Sequence, residues 1–133
     1  MKSNYTHDDG GREVAGLKGK SGDCGVRAMA IACEIPYVEA RSRCKDAAKA
    51  GKMRSKAIAR GMYREDMTAA LSELGWEWRA APKFEGSKAR YSDMPEGRVI
   101  ARMSKHYAAV IDGTIHDTFD STRKMIYGYW IKS

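Results

Sequence analysis

The dipeptide Asp112-Gly113 lies between Tyr107-Ala108-Ala109-Val110-Ile111 and Thr114-Ile115-His116-Asp117-Thr118-Phe119, and it restricts the fold more than any other feature of the chain. Apolar runs on either side of a two-residue Asp-Gly specify a β-hairpin, because the turn needs positive φ at its centre. The same turn sets the register. Ile111 faces Thr114, Val110 faces Ile115, Ala109 faces His116 and Ala108 faces Asp117. Strand side chains alternate between faces, so His106, Ala108, Val110, Ile115, Asp117 and Phe119 share one face. His116 points to the other. His106 and Asp117 are diagonal neighbours, within reach of each other. The apolar companions Val110 and Ile115 predict that the shared face packs inward against helices.

Those helices precede the hairpin. Residues 1–22 are polar and rich in glycine and read as an extended or irregular arm. The run Cys24-Gly25-Val26-Arg27-Ala28-Met29-Ala30-Ile31-Ala32-Cys33 has one charge, which predicts a buried helix with Ser21 or Asp23 as its N-cap. A second helix is expected from about Pro36 to Ala50, with Pro36 in the first turn and Gly51 as the stop. After a basic connection over 52–60, Gly61 leads to a third helix, about Tyr63–Leu74, capped by Gly75. From Trp76 the period changes. Trp76–Ala80, Arg98–Met103, the hairpin arms and Met125–Ile131 read as strands, with a loop over 81–97. Helices followed by a small antiparallel sheet make this an α+β chain, read as one domain over 1–133.

No run approaches the ~20 apolar residues of a membrane span, and the polar start lacks the apolar core of a signal peptide. The expectation is a cytoplasmic protein. Three cysteines cannot pair completely and are expected as thiols. Cys24, Cys33 and Cys44 are too irregularly spaced for a zinc site, so no metal or cofactor is expected. The net charge is +7. Lys and Arg are scattered, with a mild concentration over 41–60 that reads as a solvated helix face. Trp76, Trp78 and Trp130 read as sheet packing rather than a base-stacking platform.

Cys24 sits in the first turn of the predicted buried helix. The N–H groups and partial positive charge of a helix N-terminus favour thiolate over thiol, and they can donate to an oxyanion. Gly25 beside it is expected to leave room for a substrate. Cys33 and Cys44 have no such context and read as core or surface thiols. A nucleophilic cysteine needs a base. His106 supplies one from the hairpin, and Asp117 is placed to hold its tautomer and charge. Asp120 is the reserve carboxylate. Asp23, adjacent to Cys24, would by charge alone raise the thiol pKa.

Gly22-Asp23-Cys24-Gly25-Val26-Arg27-Ala28 at a helix start, then Ser104-Lys105-His106-Tyr107-Ala108-Ala109-Val110 and Asp117, resembles the papain-like cysteine peptidase fold. The stretches Gly22–Ala32, Leu74–Trp78, Met94–Arg98 and Asp112–Asp120 are also similar to small uncharacterised phage and prophage proteins. The resemblance implies Cys24 as nucleophile, His106 as general base and acid, and Asp117 as the orienting carboxylate. It implies a protein or peptide substrate and, for a phage-encoded protein, a place in the host cytoplasm. Papain-like enzymes carry a Gln or Asn several residues before the cysteine to complete the oxyanion hole. Residues 16–22 have no amide side chain, and Lys18, Ser21 or Asn4 are the candidates to substitute.

Three function classes follow. The first is a cysteine hydrolase acting on an amide, isopeptide or thioester bond. The second is an inactive papain-like scaffold that binds and modulates a host protein. The third is nucleic-acid binding, motivated by the basic charge; the scatter of that charge counts against it.

Overall fold

The expected hairpin forms with the expected register. In a computed structural model that describes residues 4–17, 23–51, 62–82 and 88–132, Ala109 pairs with His116, Val110 with Ile115 and Ile111 with Thr114. Asp112 and Gly113 both take positive φ, 48° and 78°. Lys18, Ser21, the connection over 52–61 and the part of the following loop over 83–87 lie outside the described residues.

Among the described residues the chain orders as β1 (Tyr5–His7), α1 (Cys24–Cys33), α2 (Tyr37–Ala50), α3 (Arg64–Ser72), β2 (Trp76–Ala80), β3 (Arg98–Met103), β4 (His106–Ile111), β5 (Thr114–Asp117) and β6 (Ile126–Lys132). The six strands form one sheet in the order β1-β5-β4-β3-β6-β2. The chain is therefore α+β as expected, but the sheet is mixed rather than antiparallel. β1 runs parallel to β5, with Tyr5 opposite Ile115 and His7 opposite Asp117. The N-terminal arm is thus partly a strand. Beyond it, residues 8–16 are folded by local bonds, including Asp8 and Asp9 carboxylates that accept the Gly10 and Gly11 N–H groups at 2.9 Å.

The helices lie against one face of the sheet. Val26, Met29 and Ile31 of α1, Ala40 and Cys44 of α2, and Met67 and Leu71 of α3 bury with Ile100, Tyr107, Ala109 and Trp130. The opposite face carries Val99, Ala101, Met103, Ala108, Val110, Ile115 and Ile126, and it is buried under Ala89 and Met94. This corrects the sequence expectation. The face holding Ala108, Val110 and Ile115 is apolar and buried, but the segment after β2 covers it, not the helices. Both faces of the sheet are covered, so apolar composition could not tell them apart.

Helix ends differ from expectation in detail. Pro36 precedes α2 at the N-cap position rather than inside its first turn. Gly51 ends α2 with φ −76°, so its role there is not a left-handed cap. Gly75 does turn left-handed, φ 83°. The segment expected as loop contains a short 3-10 turn at Tyr91–Asp93 and a bridge from Ala89 to Ile126. Among the described residues, no helix is long and apolar enough to cross a membrane.

Candidate active site

His106 is the first residue of β4, entered through a turn in which Lys105 has φ 55°. The strand end lets one histidine serve both sides of the sheet. Its Nε2 lies 2.5 Å from Asp117 Oδ2 on the neighbouring strand. On its other side His106 acts on the thiol of Cys24, the first residue of α1 on the helical side, through hydrogen bonding and charge. With Nε2 committed to Asp117, Nδ1 is the nitrogen left for the sulfur. The backbone N–H of Tyr107, next in β4, also acts to lower the Cys24 thiol pKa. The structure thus brings Cys24, His106 and Asp117 together, with His106 between the other two.

Burial grades along this series. Cys24 is partly exposed, whereas the His106 and Asp117 side chains are 6% and 3% exposed. Asp117 is held on every side. Oδ2 also accepts the Ser121 hydroxyl at 2.8 Å, Oδ1 accepts the Thr118 N–H at 2.7 Å, and its backbone carbonyl accepts the Asp8 N–H at 2.8 Å and the Tyr5 hydroxyl at 3.2 Å. The Phe119 ring lies 4.8 Å from the His106 ring, tilted by 45°, and is itself 44% exposed.

Burial opposes charge on both members of the pair, and their partners outweigh it. Burial would push the Cys24 thiol up; the hydrogen bond and charge of His106, the Tyr107 N–H and the Arg27 guanidinium bring it below the ordinary thiol value. Burial would push His106 down; its bonds to Asp117 and Cys24 and their charges raise it to about 9. The arrangement favours thiolate and imidazolium together. Burial instead pushes Cys33 and Cys44 up to about 12 each. The two remain thiols in the core and at its margin, as expected.

Two expectations about the site are corrected. Asp23 does not set its negative charge against Cys24. Its buried carboxylate accepts from Arg27 and Tyr37 and lies 3.0 Å from Arg12 Nε, so two cations answer one anion. It occupies the N-cap position without a side-chain capping bond, which leaves the first N–H groups of α1 to other acceptors. Gly25 does not clear space for a substrate. A Cβ there would meet Met67 Sδ at 3.0 Å and the Tyr107 ring at 3.5 Å, so the glycine lets α1 approach α3 and β4. Asp120, the reserve carboxylate, accepts the Thr122 N–H and hydroxyl. Of the amide substitutes, Lys18 and Ser21 lie outside the described residues, and Asn4 uses its backbone carbonyl to accept the Ile115 N–H at 2.9 Å.

Sequence reasoning missed Ser121, the Phe119 ring and the Tyr107 N–H. Alternation does place Phe119 on the His106 face. Ser121 carries no periodic signal, because it acts from a turn. The tryptophans pack as expected: Trp130 is fully buried, 4.8 Å from Trp78 and 5.6 Å from Tyr107 between ring centroids. Among the described residues no cluster of His, Cys, Asp and Glu has the makings of a metal site. Comparison with protein-family models, curated proteins and solved structures returned no match.

Proposed function

We propose that this protein is a cysteine hydrolase on a papain-like scaffold, with Cys24 attacking an amide, isopeptide or thioester carbonyl. The observation that carries the reading is the series Cys24–His106–Asp117, partly exposed at the cysteine and buried at the carboxylate. The chain order Cys, His, Asp and the seat of the sulfur at a helix N-terminus are those of papain-like enzymes.

The chemistry follows from the protonation states. The Cys24 thiolate forms a bond from Sγ to the carbonyl carbon, and the carbonyl oxygen takes the displaced electron pair. N–H groups in the first turn of α1 face the developing negative charge, aided by the partial positive charge of the helix end. Collapse breaks the bond to the leaving nitrogen or sulfur, which takes the proton from His106 Nδ1. Water then attacks the acyl-thioester and gives its proton to the same nitrogen. The carbon–sulfur bond breaks and the thiolate returns. Asp117 keeps Nε2 protonated and offsets the imidazolium charge throughout.

The test is alkylation of Cys24 by iodoacetamide against pH, read site by site by mass spectrometry, in the wild type and in His106→Ala. Cys24 is expected to titrate below the ~8.5 of a free thiol and to rise when His106 is removed. Cys33 and Cys44 should react far more slowly at neutral pH. A Cys24 that titrates as an ordinary thiol in both proteins overturns the reading.

A further inference from the structure

We propose that Arg102 and Lys88, gathered around Tyr127, form an acid-recognising rim to this site, so that the preferred substrate carries a carboxylate beside the carbonyl that Cys24 attacks. The inference rests on the hydrolase reading and names the substrate class for it.

Register places the rim. Arg102 on β3 lies directly opposite Tyr107, whose ring packs against Gly25, next to Cys24, and whose N–H helps lower the Cys24 thiol pKa. Adjacent strands are about 4.8 Å apart, so a long Arg side chain on this face reaches the mouth of the site. Its guanidinium is a hydrogen-bonding neighbour of the Tyr107 side chain, and it lies 5.7 Å from the Tyr127 ring centroid. Lys88 Nζ approaches the same ring at 5.5 Å. A ring face orients a cation without neutralising it. Among the described residues no carboxylate pairs with Arg102 or Lys88. Glu65, the carboxylate that faces Tyr107 from α3, is taken up by Arg64 at 3.5 Å. Arg102 beside Tyr107, with Lys88 on the same Tyr127 ring and no carboxylate on either among the described residues, fits an anionic group on the substrate, and guanidinium suits a carboxylate.

The opposite flank has a different character. There the exposed Phe119 ring covers His106, and the nearest carboxylate, Asp117, is buried behind it. An acidic side chain lying toward β3 therefore meets positive charge, and a basic one meets repulsion.

The experiment uses short peptides ending in a vinyl sulfone, to whose alkene the thiolate adds while the adjacent carbon takes a proton from water. The residue beside the electrophile is Asp in one probe and its neutral isostere Asn in another. Labelling of Cys24 is normalised to its iodoacetamide rate. The Asp probe is expected to label about two- to fivefold faster than the Asn probe, the order of one exposed charge pair, and added salt should shrink the ratio. Arg102→Gln should bring the ratio close to one. Lys88→Gln, at an exposed position outside the sheet, is expected to lower it and serves if the Arg102 variant does not fold. Equal Asp and Asn rates at a Cys24 that iodoacetamide shows to be activated overturn the acidic-substrate inference alone. A Cys24 with ordinary thiol reactivity overturns the hydrolase reading and this inference with it.

Discussion

Asp117 Oδ2 receives two donors, the His106 ring and the Ser121 hydroxyl, while Oδ1 receives one. Asp117→Asn keeps the size of the group and removes its charge. The imidazolium then loses its main partner, so the His106 pKa should fall from about 9 toward the ordinary 6.5. A pH series of Cys24 alkylation checks this: the alkaline limit of the thiolate–imidazolium window moves to lower pH. Ser121→Ala removes a hydroxyl from a site that is 1% exposed. It should cost about 1–2 kcal/mol of stability, measurable by urea unfolding. At this scale the sequence was legible wherever spacing translates into geometry. The apolar run put Cys24 at the start of α1, and the hairpin register put His106 within reach of Asp117. Asp23 was misjudged because adjacency in sequence says nothing about where a carboxylate points. Its partners Arg12 and Tyr37 come from other parts of the chain.

Elements meet at a few positions that tolerate no extra atoms. Gly128 of β6 is one, since a Cβ there would lie 2.2 Å from the Trp78 ring on β2 and 2.9 Å from the Arg79 carbonyl. Gly128→Ala should destabilise the protein by about 1–3 kcal/mol through overpacking, seen as a lower unfolding midpoint with an altered tryptophan signal. The joint between the N-terminal segment and α1 is electrostatic. Asp23→Ala would leave Arg27, 8% exposed, beside Arg12 with their shared anion gone. A loss of about 3 kcal/mol is expected from breaking a buried pair in this way, again by urea unfolding. The hairpin and three of the other strands could be read from alternation and turn residues. β1 could not, because three polar residues joined to β5 by backbone bonds leave no side-chain signal. The face error has a related origin: alternation says which residues share a face, but not what covers it.

Across the whole molecule, the Cys24–His106 pair ties stability to pH. A histidine raised from 6.5 to about 9 by folding contributes stability that is complete below 6.5 and lost as pH rises through about 9. The lowered thiol acts in the opposite sense. Its contribution is complete above the ordinary value of 9.0 and is lost as pH falls through the lowered one. The stability gap between wild type and His106→Ala should therefore narrow as pH rises from neutrality to 10, in thermal unfolding followed across that range. Net charge was legible from composition, but its arrangement was not, since Arg102 and Lys88 meet at Tyr127 only through the pairing of β3 with β6 and the bridge from Ala89 to Ile126. The pairing of β1 with β5 has a bearing on time as well as on shape. Tyr5 and Asp117 are 112 residues apart along the chain, and contacts of such separation form slowly. A ribosome must deliver the chain past Asp117 before its carboxylate stands behind the histidine. Until then the sulfur ionises as any thiol does, so a half-made chain carries no activated nucleophile among its neighbours.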